Sequence, residues 1–109
     1  MVAGCFFGTL FVMSYFLDPV ARSISVMEAT YGANCNVKPG NLTAYVVAAC
    51  GQTPRCSLPI DVSKMGDPAP GCMKNFLVKY SCGRNSSVRE GSVSPEATGK
   101  TLDLNCQDG

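Results

Sequence analysis

Cysteine is the residue type in this chain with the most chemistry to offer. There are seven, at positions 5, 35, 50, 56, 72, 82 and 106. No two are spaced Cys-x-x-Cys and there is no histidine, so the usual zinc-ligand pattern is missing. The lack of histidine also removes the commonest general base and any Ser-His or Cys-His nucleophile. Asp61 and Asp67 flank one stretch of sequence, but nothing sets them on either side of a scissile bond as glycoside hydrolysis requires. Six cysteines after residue 30 in so short a chain read as a disulfide framework, for which fifteen pairings exist. The expectation is a binding protein without a cofactor, not an enzyme.

The net charge is +1 and the basic residues are scattered, so no patch suits nucleic acid. Residues 3–17 form an uncharged apolar run, shorter than the roughly 20 residues that span a bilayer. Asp18-Pro19 closes the run, and small residues Ala21 and Ser23 follow. The segment 1–23 therefore reads as a signal peptide or a retained hydrophobic anchor that would contact a membrane through residues 3–17. Cys5 falls within it. Residues 24–109 are left as one folded domain, secreted or extracytoplasmic and, on the second reading, membrane-anchored. A domain this small has a marginal core and benefits from covalent staples.

The elements that must position these cysteines follow from periodicity. Residues 24–30 are rich in β-formers and predict a strand. Gly, Asn and Pro between 31 and 40 predict a loop. Asn41 stands where a helix N-cap belongs, and Leu42, Tyr45, Val46, Ala49 and Cys50 make one apolar stripe before Gly51. Residues 56–60 predict an edge strand, because Pro59 cannot donate to a central ladder. Residues 74–82 predict the clearest strand, with Phe76, Val78, Tyr80 and Cys82 on one face. Residues 86–93 predict a weaker strand, and 100–106 a last one with Leu102, Leu104 and Cys106 inward. The fold class is α+β: a small, disulfide-stapled antiparallel sheet with one main helix.

Four segments, in this order, resemble the galactose/rhamnose-binding lectin domain of the SUEL type. They are Ala29-Thr30-Tyr31-Gly32 after a strand, Cys50 and Cys56 with five residues between, Gly66-Asp67-Pro68 followed by Lys74, and Val78-Lys79-Tyr80-Ser81-Cys82. The resemblance covers residues 24–83. The chain departs from the family in three places: the family's first strand, bearing Cys-Glu-Gly, is missing before Ile24, its Tyr-Gly-Arg arginine is Ala33, and the cysteine after Gly-Asp-Pro lies at Cys72. Residues 95–106 are similar to the missing first strand, which implies a circular permutation, a rearrangement that neighbouring termini permit.

The resemblance implies the pairs Cys50–Cys56, Cys82–Cys106 and Cys35–Cys72. It also implies a carbohydrate site of Asp67, Lys74 and Glu96, with Tyr31 offering a ring face and Asn34 and Asn75 as further hydrogen-bonders. Each residue has a plainer reading: Asp67 before Pro68 suits a turn, Lys74 a solvated charge, and Tyr31 the core. The chain has no Trp, the usual stacking platform for a sugar. The sequons Asn41-Leu42-Thr43 and Asn85-Ser86-Ser87 make Asn41 and Asn85 glycosylation candidates. Two functions are expected from these residues: a lectin-like module binding galactose or rhamnose-like glycans, or a subunit of an extracellular or membrane assembly that keeps the scaffold without sugar binding.

Overall fold

In the computed structural model, residues 22–83 and 86–107 are described. They form five strands, two α-helices and a 3₁₀ turn: β1 (Ser25–Tyr31), the turn Ala33–Cys35, α1 (Thr43–Cys50), β2 (Arg55–Pro59), α2 (Val62–Met65), β3 (Phe76–Ser81), β4 (Arg89–Val93) and β5 (Thr101–Asn105). The strands make two antiparallel sheets where the sequence predicts one, ordered β1-β3-β4 and β2-β5. The sheets meet at β4 and β5 through side chains. A Cβ on Gly91 of β4 would lie 2.8 Å from Leu104 Cδ2 and 3.2 Å from Leu102 Cδ1, so the bare glycine lets the β5 leucines close against β4. This packing contact stands in place of a continuous ladder.

Strand periodicity decides which side chains enter the core. Phe76, Val78 and Tyr80 are buried on one face of β3, while Lys79 on the other is exposed. In β5, Leu102 and Leu104 are buried between exposed Thr101 and Asp103. β2 pairs only with β5, which leaves Pro59 in an edge strand where its missing N–H does no harm. On α1, Leu42, Val46 and Cys50 recur every fourth residue and are buried against these faces. Gly51 ends the helix, its N–H donating to the Val47 carbonyl at 2.9 Å.

Asn41 is not the helix cap. Leu42 holds that position without a side-chain cap bond, and Asn41 turns instead to the open edge of β1. Tyr31 N–H donates to Asn41 Oδ1 at 2.9 Å, and Asn41 Nδ2 donates to the Tyr31 carbonyl at 3.1 Å. Next to it, Ala29 N–H donates to Thr43 Oγ1 at 3.0 Å, and Leu42 N–H to the Ala29 carbonyl at 3.0 Å. An edge strand presents a row of unpaired backbone groups, and here residues 41–43 satisfy both groups of Ala29 and of Tyr31. A cap would have satisfied one helical N–H.

Three disulfides staple the domain: Cys35–Cys72, Cys50–Cys56 and Cys82–Cys106. These are the pairs the lectin resemblance implies. The first joins the 3₁₀ turn to the loop after α2, the second closes the helix-to-β2 turn, and the third fastens the end of β3 to the end of β5. Such a framework fits an oxidising, extracellular compartment. Among the described residues no helix is long and apolar enough to cross a membrane. The leader 1–21, Cys5 and Asn85 lie outside the described residues.

Candidate functional site

Lys74 is the centre of the site, and its placement begins with a glycine. Gly32 has φ 99°, a left-handed conformation that side chains disfavour, and a Cβ there would stand 3.2 Å from Lys74 Cγ and 3.3 Å from Lys74 Cδ. Without that Cβ, the aliphatic stem of Lys74 lies over the Tyr31-Gly32 segment. Its ammonium sits 5.5 Å from the centre of the Tyr31 ring. Lys74 is 4% exposed, so the reading of a solvated surface charge does not hold.

The ammonium is fully engaged. Lys74 Nζ donates to Asp67 Oδ1 at 2.8 Å, to the Cys72 carbonyl at 2.9 Å and to the Ala69 carbonyl at 3.2 Å. A lysine carries three N–H donors, so these acceptors use them all. Asp67 is both turn residue and ion-pair partner, since the Ala69 N–H also donates to its Oδ1 at 3.2 Å. Its side chain remains 42% exposed, and Oδ2 takes neither bond. The hydrogen bond from Lys74, the Ala69 N–H and the nearby positive charge hold the Asp67 carboxyl below its ordinary range, against a smaller opposing effect of burial. The bond to Asp67 likewise raises Lys74 above the usual lysine value, burial opposing it, with Coulomb contributions from Asp67, Tyr31 and Glu96.

Glu96 reaches this centre from the far end of the chain. The N–H of its neighbour Ala97 donates to the Lys74 carbonyl at 2.9 Å, which sets the half-buried Glu96 within electrostatic reach of the ammonium. Asp67 and Lys74 of one loop thus meet Glu96, although β3 and β4 separate Glu96 from them in sequence. Tyr31 belongs to the same cluster but not as expected. Its ring is fully buried, 5.5 Å from the Phe76 ring at a 38° tilt, so it offers no face to a ligand. Core packing and the Lys74 ammonium together close the ring. The Tyr31 hydroxyl is buried without a hydrogen-bond partner.

The side chains of Asn34 and Asn75 are engaged with each other's segments near the surface. Asn75 N–H donates to Asn34 Oδ1 at 2.9 Å, Asn34 N–H to Asn75 Oδ1 at 3.3 Å, and Asn34 Nδ2 to the Met73 carbonyl at 2.8 Å. They stitch the 3₁₀ turn to the start of β3 beside the Cys35–Cys72 bond.

A concavity of about 230 Å³, away from the Lys74 cluster, was not anticipated from sequence. It lies on the outer face of the three-stranded sheet, with Glu28 and Lys79 directly opposite each other on β1 and β3 and Val37, Pro39 and Leu77 as apolar walls. It shares no residue with the Lys74 cluster. Alternation marks Glu28 and Lys79 as outward-facing, but only the curl of residues 33–40 over the sheet turns that face into a groove.

Comparison with models of known protein families, with curated proteins and with solved structures finds no match.

Proposed function

We propose that this chain is an extracellular carbohydrate-binding module of the lectin type, taking galactose- or rhamnose-like glycans at Asp67 and Glu96 around Lys74. The observation that carries the proposal is the convergence of Asp67 and, from the far end of the chain, Glu96 on the buried Lys74 ammonium of a disulfide-held loop. Carboxylates that accept hydrogen bonds from vicinal hydroxyls give a sugar its orientation, and a buried lysine fixes the loop that presents them. In this reading Lys74 orders the site and Asp67 and Glu96 contact the ligand. The domain is secreted, or held to a membrane through residues 3–17, and it performs no catalysis. One shallow site of this kind binds at about millimolar strength, near −4 kcal/mol, so function would draw on several copies. The test is a glycan array probed with the disulfide-intact protein and with Asp67→Ala. Binding to galactose or rhamnose that Asp67→Ala abolishes supports the proposal. Absence of binding to every sugar, or an Asp67→Ala variant that binds as wild type does, overturns it.

A second reading is favoured by the saturated ammonium and the covered Tyr31 ring, which leave the loop without a free cationic donor or a stacking surface. In that reading the scaffold is an interaction subunit of an extracellular or membrane assembly. Recovery of the native protein in a stable complex, with no sugar able to dissociate it, would favour this alternative.

A further inference from the structure

What a site can recognise depends on the hydrogen-bonding capacity its residues have left. All three donors of Lys74 point into protein acceptors, and its side chain is closed to solvent. The Asn34 amide donates to a backbone carbonyl. The one further hydroxyl of the cluster, that of Tyr31, is sealed inside, unpartnered, on the ring that lies 5.5 Å from the ammonium. The charged capacity that remains in the cluster is Asp67 Oδ2 and the Glu96 carboxylate, and ionised carboxylates only accept. Asp67 has its carboxyl held in the ionised form by its neighbours. Two carboxylates against one ammonium leave the site negative.

We infer that the site selects a hexosamine with a free amine, such as galactosamine, over the neutral sugar, its N-acetyl derivative and the uronic acid. The inference rests on the carbohydrate-binding reading and names the sugar class that reading would take. A hydroxyl can meet these carboxylates through a neutral hydrogen bond, but an ammonium meets them through a charge-assisted one and also answers the net charge. A uronic acid brings a third carboxylate to a cluster whose one ammonium, that of Lys74, is already saturated.

The experiment is a set of NMR titrations of the disulfide-intact protein, in mildly acidic, low-salt buffer that keeps the amine charged and the carboxylates ionised. The probes are galactosamine, galactose, N-acetylgalactosamine and galacturonic acid. Galactosamine is expected to bind roughly fivefold tighter than galactose, with shifts at residues 66–74 and 95–97, an advantage that shrinks with added salt. Galacturonic acid is expected to be weakest. Glu96→Gln is expected to bring the galactosamine-to-galactose ratio towards one, in a protein whose amide dispersion shows it folded. Equal affinity for galactosamine and galactose overturns this inference alone and leaves the lectin reading standing. Absence of shifts with every sugar overturns both.

Discussion

Gly32 and Lys74 are fitted to one another: the missing side chain of the first is the space occupied by the stem of the second, at what would be 3.2 Å from a Cβ. Gly32→Ala is therefore expected to act twice. It forces a Cβ onto a backbone at φ 99°, and it presses on Lys74 and on Val37 Cγ1, also 3.2 Å away. Destabilisation of about 1–3 kcal/mol is expected from the backbone strain alone, measured by urea unfolding. If Gly32→Ala unfolds at the wild-type midpoint with the wild-type slope, the fit between these residues has no energetic content.

The Asp67–Lys74 pair predicts a pH dependence with two limbs. The Asp67 carboxyl is depressed in the folded protein, so its contribution is complete above the unfolded value of about 4 and is lost as pH falls through the folded value. The Lys74 ammonium is raised, so its contribution is complete below the unfolded value of about 10.4 and is lost as pH rises through the folded one. Thermal unfolding is expected to give a plateau of melting temperature between these limits, with a decline on each side. Asp67→Asn removes the negative charge, so its acid limb is expected to be shallower than that of wild type. An unchanged acid limb in Asp67→Asn would assign the decline to other carboxyls.

The three staples should differ in worth. Cys35–Cys72 closes 37 residues of sequence, Cys82–Cys106 24 and Cys50–Cys56 only 6. The chain-entropy description makes the longest worth about 1.6 kcal/mol more than the shortest. Paired Cys→Ala variants compared by denaturant midpoint test this. Cys50 is fully buried whereas Cys35 and Cys72 are half-exposed, so packing loss works against the entropic order. Should the Cys50/Cys56 variant prove the least stable, burial and not loop length sets the ranking in this domain.

The strands and the main helix were legible because their signals are local. Alternation at Phe76, Val78 and Tyr80 and the four-residue spacing of Leu42, Val46 and Cys50 each follow from one backbone repeat. Two features were not legible for a shared reason: they depend on what a residue meets across space. Asn41 carries every mark of a helix cap, and only the unpaired edge of β1 draws it away. Tyr31 reads either as a ring face for a ligand or as core, and it is the glycine after it, by admitting Lys74 over the ring, that helps decide for the core. The side chains of Asn34 and Asn75 belong with these, since the oxygen of each accepts from the other's backbone N–H, 41 residues away in sequence. The junction of the two sheets was hidden in the same way, because Gly91 reads as a weak strand residue until Leu102 and Leu104 are seen against it.

That junction gives a direct test of the core. Leu104 is 1% exposed and packs over Gly91. Leu104→Ala is expected to cost about 2–5 kcal/mol through lost burial and the cavity left behind. Gly91→Val approaches the same contact from the other side, inserting a branched side chain where a Cβ already comes to 2.8 Å. Each variant alone is expected to lower the melting temperature. Combined, Gly91→Val and Leu104→Ala are expected to be less destabilising than the sum of the two, since the valine fills space the alanine vacates. Strict additivity would mean that β4 and β5 do not pack through these residues.

Asn41 supplies the sharpest local test, because its two bonds can be removed one at a time. Asn41→Asp keeps an acceptor for the Tyr31 N–H and loses the donor to the Tyr31 carbonyl, whereas Asn41→Ala loses both. With each such bond worth about 0.5–1.5 kcal/mol net, Asn41→Asp is expected to fall between wild type and Asn41→Ala in stability. Amide exchange at Tyr31 should quicken strongly in Asn41→Ala and much less in Asn41→Asp, where an acceptor for that N–H survives. If Asn41 served only as a helix cap, Asn41→Ala would instead loosen the first turn of α1, Asn41→Asp would preserve it, and Tyr31 would stay protected in both. A glycan on Asn41 would occupy the amide that holds β1, so secretion from a glycosylating host is expected to leave this site unmodified in the folded fraction. Intact mass, read with and without glycosidase, decides it: a folded protein carrying glycan at Asn41 would show that the edge of β1 does not require that side chain.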